Sequence, residues 1–355
     1  MIYLILFALQ IAAVLATDWA SKGRTYLYYG LLIFLFFFAA FRFEVGCDWS
    51  GYFNHWTRAE GMSAQDILVG REPLWWGFLA IARAAGAEYL LANVVTSIVF
   101  FAGVHHLAKR QSDPFIFLVL LFPVLIINMP MSGIRQALAI GIICFAFTAF
   151  VERRLRRFLV LVLLAAGFHS SAAVFLALAP FVTERLTRDR LVLAGVLALP
   201  IVVLLLTSSQ GDLAYSRYIE RDIEAFGALF RVLLLSTTAL LFLLVLRRPW
   251  RTKYPSDYSL VLLTSWAALA LLAVLYVSTV VADRFAYYFV PVQALILVRA
   301  RIIFTKSQGQ LLLAVFLLGL MGFLSVWTIE SSHFQRCYLP YQNELLGDVV
   351  STKPY

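Results

Sequence analysis

Eleven apolar segments organise this chain of 355 residues: 1–17, 26–41, 89–108, 115–128, 134–151, 156–182, 191–207, 228–246, 258–280, 285–299 and 310–328. A bilayer span takes about 20 apolar residues, and fewer where neighbouring helices draw a short one inward. Inside hydrocarbon every backbone N–H and C=O must be satisfied within the protein, so segments of this length and number fold as helices. With 62% hydrophobic and 14% charged residues, a soluble sphere would expose far more apolar surface than so few charges keep dispersed. The chain therefore reads as all-α, a polytopic integral membrane protein. The first segment lacks the cationic start of a cleaved signal peptide and is counted as a helix. With a short helix at about 74–86 counted, the longest stretch between helices is the 32 residues from Arg42 to Pro73, so a single transmembrane domain over 1–355 is expected.

The net charge of +9, with 24 of the 29 cations arginine, sits in short clusters between apolar runs and orients helices; it does not form a nucleic-acid face. Loops 18–25, 109–114, 152–157, 183–190, 247–257 and 299–309 carry 18 cations in 50 residues, whereas 42–73, 129–133, 208–227, 281–284 and 329–355 carry 8 in 88. The positive-inside rule puts the first set in the cytoplasm and the second outside. Outer loops are thus expected at 42–73, 208–227 and the tight turn 281–284, with an outer tail at 329–355. Basic clusters flank 156–182 on both sides, so this stretch is expected to enter and return as a broken helix pair around His169, giving about 12 crossings with both termini outside. Pro73 followed by Trp75 and Trp76 marks a short interfacial helix at about 74–86.

Ionisable groups at membrane depth are costly and are functional candidates by default. On this topology Arg42, Glu44, Asp48, Glu72, Arg135, Gln136, His169, Asp283 and Arg284 all face outward. Arg135 opens a helix from its N-terminal end, where a cation opposes the helix dipole, so structure alone explains it poorly. Arginine forks match phosphate oxygens and keep their charge when desolvated, so several directed at one cavity fit a lipid pyrophosphate. Arg42, Arg135, Gln136 and Arg284 are the expected pyrophosphate-binding set. Asp48, or Glu72 as second choice, fits a general base for a sugar hydroxyl, and His169 fits the stabilisation of charge on the leaving phosphate. Trp49 and Tyr52, with Phe53 and Trp56, are placed to stack on sugar rings or to form an interfacial belt. There is no Walker loop, GxGxxG, HExxH, DxD pair or zinc-type Cys/His spacing, so neither a metal nor a cofactor is expected. Cys47 and Cys337 both fall outside, where a disulfide between them is open in an oxidising periplasm; Cys144 lies within a helix.

The run Arg42-Phe-Glu-Val-Gly-Cys-Asp-Trp-Ser-Gly-Tyr52 resembles the R-x-x-x-G-T-D-Y-x-x-Y signature of the EpsG-like polysaccharide polymerases, relatives of the Wzy polymerases. Glu72-Pro-Leu74, Ile134-Arg-Gln-Ala-Leu-Ala139, Phe168-His-Ser-Ser-Ala172, Asp283-Arg284 with Tyr288-Phe289, and Tyr338-Leu-Pro-Tyr341 come in the family's order. Cys47 and Trp49 depart from the usual Thr and Tyr. The resemblance implies a GT-C-like, metal-independent glycosyltransferase of the bacterial inner membrane. It would join oligosaccharide repeat units carried on undecaprenyl pyrophosphate, as donor and acceptor, at the periplasmic face to make exopolysaccharide or O-antigen. Its other partners would be membrane lipids, a chain-length regulator and export proteins. Two competing readings use the same residues. A lipid-linked oligosaccharide flippase should show paired repeats and polar groups on both sides, which the sequence lacks. A membrane acyltransferase should carry His169 on the cytoplasmic side.

Overall fold

The computed structural model describes residues 1–17, 22–183, 187–206 and 222–347. The outer loop expected at 208–227 falls mostly outside them, as does the end of the tail. Among the described residues the chain is 83% helical and has no strands. In chain order the helices are α1 (Ile2–Ala16), α2 (Lys22–Ala40), α3 (Trp49–Arg58), α4 (Ala64–Val69), α5 (Pro73–Ala84), α6 (Leu90–Ala108), α7 (Pro114–Leu121), α8 (Ile134–Val151) and α9 (Leu155–Phe168), then a 3-10 helix (Ser170–Phe181). They continue as α10 (Arg188–Leu206), α11 (Asp222–Leu240), α12 (Arg247–Lys253), α13 (Tyr258–Val277), α14 (Thr279–Ile303), α15 (Lys306–Glu330) and α16 (Ser332–Tyr338).

Among the described residues seven helices are long and apolar enough to cross a membrane: α2, α6, α8, Gly227–Lys253, α13, α14 and α15. Shorter apolar helices occupy Ile2–Ala16, Pro114–Ile126 and Ser170–Phe181. The break in the 156–182 stretch falls at His169, the one non-helical residue between α9 and the 3-10 helix. Helix α5 stands where the short interfacial helix is expected, with Pro73 at its first position. Pro123 removes one backbone donor from the helix that starts at Pro114, and the chain absorbs it in a π-helical stretch over Phe122–Ile126. One expected feature is displaced. The turn before α14 lies at Ser278, whose side chain accepts from Val281 N–H at 3.3 Å. Asp283 and Arg284 therefore sit on the first turns of a 25-residue helix and not in the turn.

The chain forms two compact units. The first comprises Met1–Ile142, Leu164–Ser170 and Val315–Tyr355, and the second Ile143–Leu163 and Ser171–Ala314. In the first, the loop after α2 is held by the chain's own C-terminal segment. Phe43 N–H donates to Gln342 O at 3.1 Å, Glu344 N–H to Phe41 O at 2.8 Å and Gly46 N–H to Cys337 O at 2.8 Å. A disulfide joins Cys47 and Cys337 across 290 residues, the bridged alternative of the two that the sequence leaves open. Cys144 is a buried free thiol. Arg24 pairs with the buried Asp113 at 3.0 Å, and Asp113 also caps α7 by accepting from Ile116 N–H at 3.0 Å. In the second unit α11, α13 and α14 pack on one another. Asp257 takes a bond from Trp250 Nε1 at 3.0 Å and pairs with Arg299, whose guanidinium lies over the Trp250 and Tyr254 rings.

Gly46 fixes the path of the loop that carries Asp48. Its φ is +104°, and a Cβ there would lie 1.9 Å from the Met131 carbonyl oxygen. Only glycine lets the 42–48 loop lie against the 129–133 turn. Gly46→Ala combines a positive-φ penalty with a backbone overlap and is expected to cost about 2–5 kcal/mol. Gly30, where an added Cβ would meet nothing within 4 Å, is the control. Thermal melts of the detergent-solubilised variants check this, and equal melting temperatures for Gly46→Ala and Gly30→Ala would exclude the clash.

Candidate functional site

Glu72 is the hub of the polar cluster in the first unit. It occupies the N-cap position of α5 with φ 59° and ψ 56°, a left-handed conformation that a non-glycine residue adopts at a cost of about 1–2 kcal/mol. Backbone in such a state persists where its surroundings over-determine it. Here they do so with four contacts to one carboxylate. Arg135 NH1 pairs with Oε2, while Oε1 receives His169 Nδ1 at 2.8 Å, Ser170 N–H at 3.0 Å and Ser170 Oγ at 3.4 Å. Burial pushes the carboxyl pKa up, but the hydrogen bond from His169 and the charges of Arg135 and His169 outweigh it, holding Glu72 down at about 2. A carboxylate so occupied is a poor proton acceptor. It orients its partners: since an ionised carboxylate only accepts, Nδ1 of His169 carries a proton, and a second proton on Nε2 makes the ring a cation that donates from its other side.

Local sequence explains the meeting. Pro73 starts α5 immediately after Glu72, so the carboxylate leaves the helix at a fixed angle. Gly167 sits against Leu74, with a Cβ there only 2.5 Å from Leu74 Cδ1, which lets the end of α9 approach the first turn of α5. Loss of the helix at His169 then exposes the Ser170 N–H that Glu72 accepts from. Arg135, on the first turn of α8, has its unfavourable dipole position compensated by Glu72. Its guanidinium also lies over the Tyr52 ring, 5.4 Å from the centroid, and hydrogen-bonds the Tyr52 side chain.

Asp48 is a second carboxylate near Arg135. It precedes α3 without its side chain capping that helix. Ser132 Oγ donates to its Oδ2 at 3.3 Å, and its own N–H donates to Ser132 Oγ at 3.3 Å. It is exposed, yet close enough for its charge to act on both Arg135 and Tyr52. Asp48 thus has one side-chain partner among the described residues where Glu72 has three. Gly46 sets this up, because its missing side chain admits Met131 and Ser132.

Several expected roles change. Arg42 is not placed to hold a pyrophosphate. It is 1% exposed, and its guanidinium donates to Val45 O at 3.1 Å, Met131 O at 2.8 Å, Ala39 O at 2.7 Å and Asn93 Oδ1 at 3.2 Å. These bonds make it the internal strut of the 42–48 loop. Trp49 and Tyr52 do not offer open ring faces for sugars, being buried in a cluster with Trp56, Trp75 and Tyr89. Trp49 stacks on Phe53 at 5.2 Å, and Tyr52 supports Arg135. Gln136 is buried on α8 beside Arg135. Arg284 belongs to the second unit, half-buried on α14. Its neighbour Asp283 takes a bond from Arg231 Nε at 2.5 Å, and Arg231 lies over the Tyr287 ring, so Arg231, 52 residues earlier, is a partner the sequence did not reveal.

Sequence reading also missed His55 and Ser132. His55 lies on α3 and accepts from Trp75 Nε1 at 3.4 Å, with its ring 4.7 Å from that of Trp76. Its spacing of three residues from Tyr52, on the same helical face, was the available signal. Burial, with the Arg135 charge next, lowers its pKa from 6.5 to about 4, so it is neutral at pH 7. A depressed folded-state pKa contributes stability that is complete above 6.5 and lost as pH falls towards 4. The Glu72 contribution is lost below that, from 4.5 towards about 2. The melting temperature is therefore expected to fall between pH 7 and pH 5, and His55→Gln to flatten that part of the profile. A wild-type profile level down to pH 5 would contradict the burial of His55.

These features define an all-α, multi-pass membrane protein with a carboxylate–arginine–histidine centre. The family model of the EpsG family matches residues 25–343, nearly the whole chain, and the protein belongs to this family of EpsG-like polysaccharide polymerases. No curated protein and no solved structure matches it.

Proposed function

We propose that this chain is a glycosyltransferase that polymerises undecaprenyl-pyrophosphate-linked repeat units at the periplasmic face of the bacterial inner membrane. The observation that carries the reading is the division of labour between two carboxylates of one unit. Glu72 is saturated by Arg135, His169 and Ser170, whereas Asp48 keeps an exposed carboxylate near the Arg135 charge. Such a pair separates the group that orients from the group that takes a proton. Asp48 accepts the proton of the acceptor sugar hydroxyl as its oxygen attacks the anomeric carbon of the donor. The bond from that carbon to the pyrophosphate oxygen breaks, its electron pair stays on the phosphate, and the configuration inverts. Arg135 and His169 stabilise the charge that develops there. No protein nucleophile is required, and undecaprenyl pyrophosphate leaves as the second product.

The test is incubation of the purified wild-type protein with defined lipid-linked oligosaccharides. The expected result is a ladder of products one repeat unit apart, with undecaprenyl pyrophosphate released in step. Movement of the lipid-linked unit across a vesicle membrane without any lengthening would replace this reading by transport.

A further inference from the structure

The disulfide of the first unit has a third member. His333 stands four residues before Cys337 on α16, on the same helical face. Its Nε2 lies 2.8 Å from Cys47 Sγ and 3.9 Å from Cys337 Sγ. All three residues are half-buried, and their ligand atoms fall within 4.8 Å of one another. A disulfide needs no imidazole against both of its sulfurs. Two thiolates and an imidazole are, however, the donor set of zinc-class ions.

We propose that this cluster has two states: a disulfide when oxidised and, once reduced to the dithiol, a three-ligand site for a zinc-class d10 cation, with the fourth position open to water. Reduction is by a dithiol or a phosphine. A dithiol closes to its own disulfide and passes two hydrogens to the cysteines; a phosphine becomes its oxide, with water supplying the oxygen and both protons. Metal entry then forms two metal–sulfur bonds and releases the two thiol protons to solvent, while the His333 Nε2 lone pair makes the third bond. The geometry permits both states. Tetrahedral metal–sulfur bonds of about 2.3 Å put the sulfurs about 3.8 Å apart, reached by turning the two Cα–Cβ bonds. The Cα atoms, 4.7 Å apart, need not separate.

The site is one residue from Asp48, and Gly46 N–H bonds the Cys337 carbonyl, so either state ties the 42–48 loop to the C-terminal segment. No spacing rule finds this donor set, because one of its members is 286 residues from the histidine. The metal would be a structural clamp and takes no part in the glycosyl transfer proposed above.

The probe is cobalt(II) added to full-length protein in detergent, after anaerobic reduction with a phosphine and removal of the excess. The expected result is one equivalent bound, with a thiolate-to-metal charge-transfer band and the intense visible bands of tetrahedral cobalt, bleached by zinc(II). Oxidised wild type should give none of these. In the reduced state, Cys47→Ser should lose the charge-transfer intensity. His333→Ala, which retains both thiols and the disulfide, should bind more weakly by more than the about 10–100-fold that loss of an outer-shell contact costs. The proposal is overturned if reduced wild type shows no such spectrum, if the spectrum survives in Cys47→Ser, if affinity is unchanged in His333→Ala, or if the reduced protein unfolds and metal does not restore it. Each readout is metal binding, so the result stands apart from the polymerase assay.

Discussion

Glu72→Gln is expected to abolish chain lengthening and to destabilise the first unit by about 3 kcal/mol, the lower end of what breaking a buried ion pair costs. The lower end applies because the Arg135 side chain keeps 18% exposure. Glutamine has the same shape, but one of its two terminal groups is an NH2. That group would face either the Arg135 guanidinium or the His169 and Ser170 donors, setting donor against donor. Removing the charge also frees the imidazole orientation and leaves Arg135 without its counter-ion. Glu72→Asp keeps the charge but is one methylene too short to reach both sides, so it should retain the fold better than activity. Melting curves and product ladders for both variants check this. Wild-type chain lengths from Glu72→Gln would remove Glu72 from the site.

Asp48→Asn should behave in the opposite way, with activity falling about 10²–10⁴-fold and stability changing by less than about 1 kcal/mol. Its carboxylate makes one side-chain hydrogen bond, from Ser132, which an asparagine carbonyl also accepts. What disappears is the ability to take a proton. Ser132→Ala, removing only the orienting bond, should lose far less. Equal product ladders from wild type and Asp48→Asn would transfer the base role elsewhere. Taken together, the two variants separate an orienting carboxylate, whose loss costs stability and activity, from a proton-accepting one, whose loss costs activity alone.

Much of the site was legible in the linear sequence, for physical reasons that can be named. Charge at membrane depth is so costly that Asp48, Glu72, Arg135 and His169 stood out against an apolar background, and Gly167-Phe-His-Ser-Ser171 read as a helix break. Roles within the set were harder. Asp48 and Glu72 look alike as letters, but only one is enclosed by donors. Arg42 looks as available as Arg135, yet it ends on three backbone carbonyls and an asparagine. Trp49 and Tyr52 look like an aromatic platform and are instead core.

By itself the sequence determined a helical, multi-pass membrane protein and the small outlying group of charged residues on which its proposed function rests. Both come from a local rule: hydrocarbon demands apolar residues and internally bonded backbone at every position it covers, so the demand is written segment by segment. Tertiary structure alone decided the partners. Glu72 meets Arg135 across 63 residues and His169 across 97, Arg231 finds Asp283 across 52, and Cys47 joins Cys337 across 290. Contacts at such separations have no period and no fixed spacing. They arise from how helices pack and where a glycine such as Gly46 or Gly167 lets two segments touch, which only the folded chain contains.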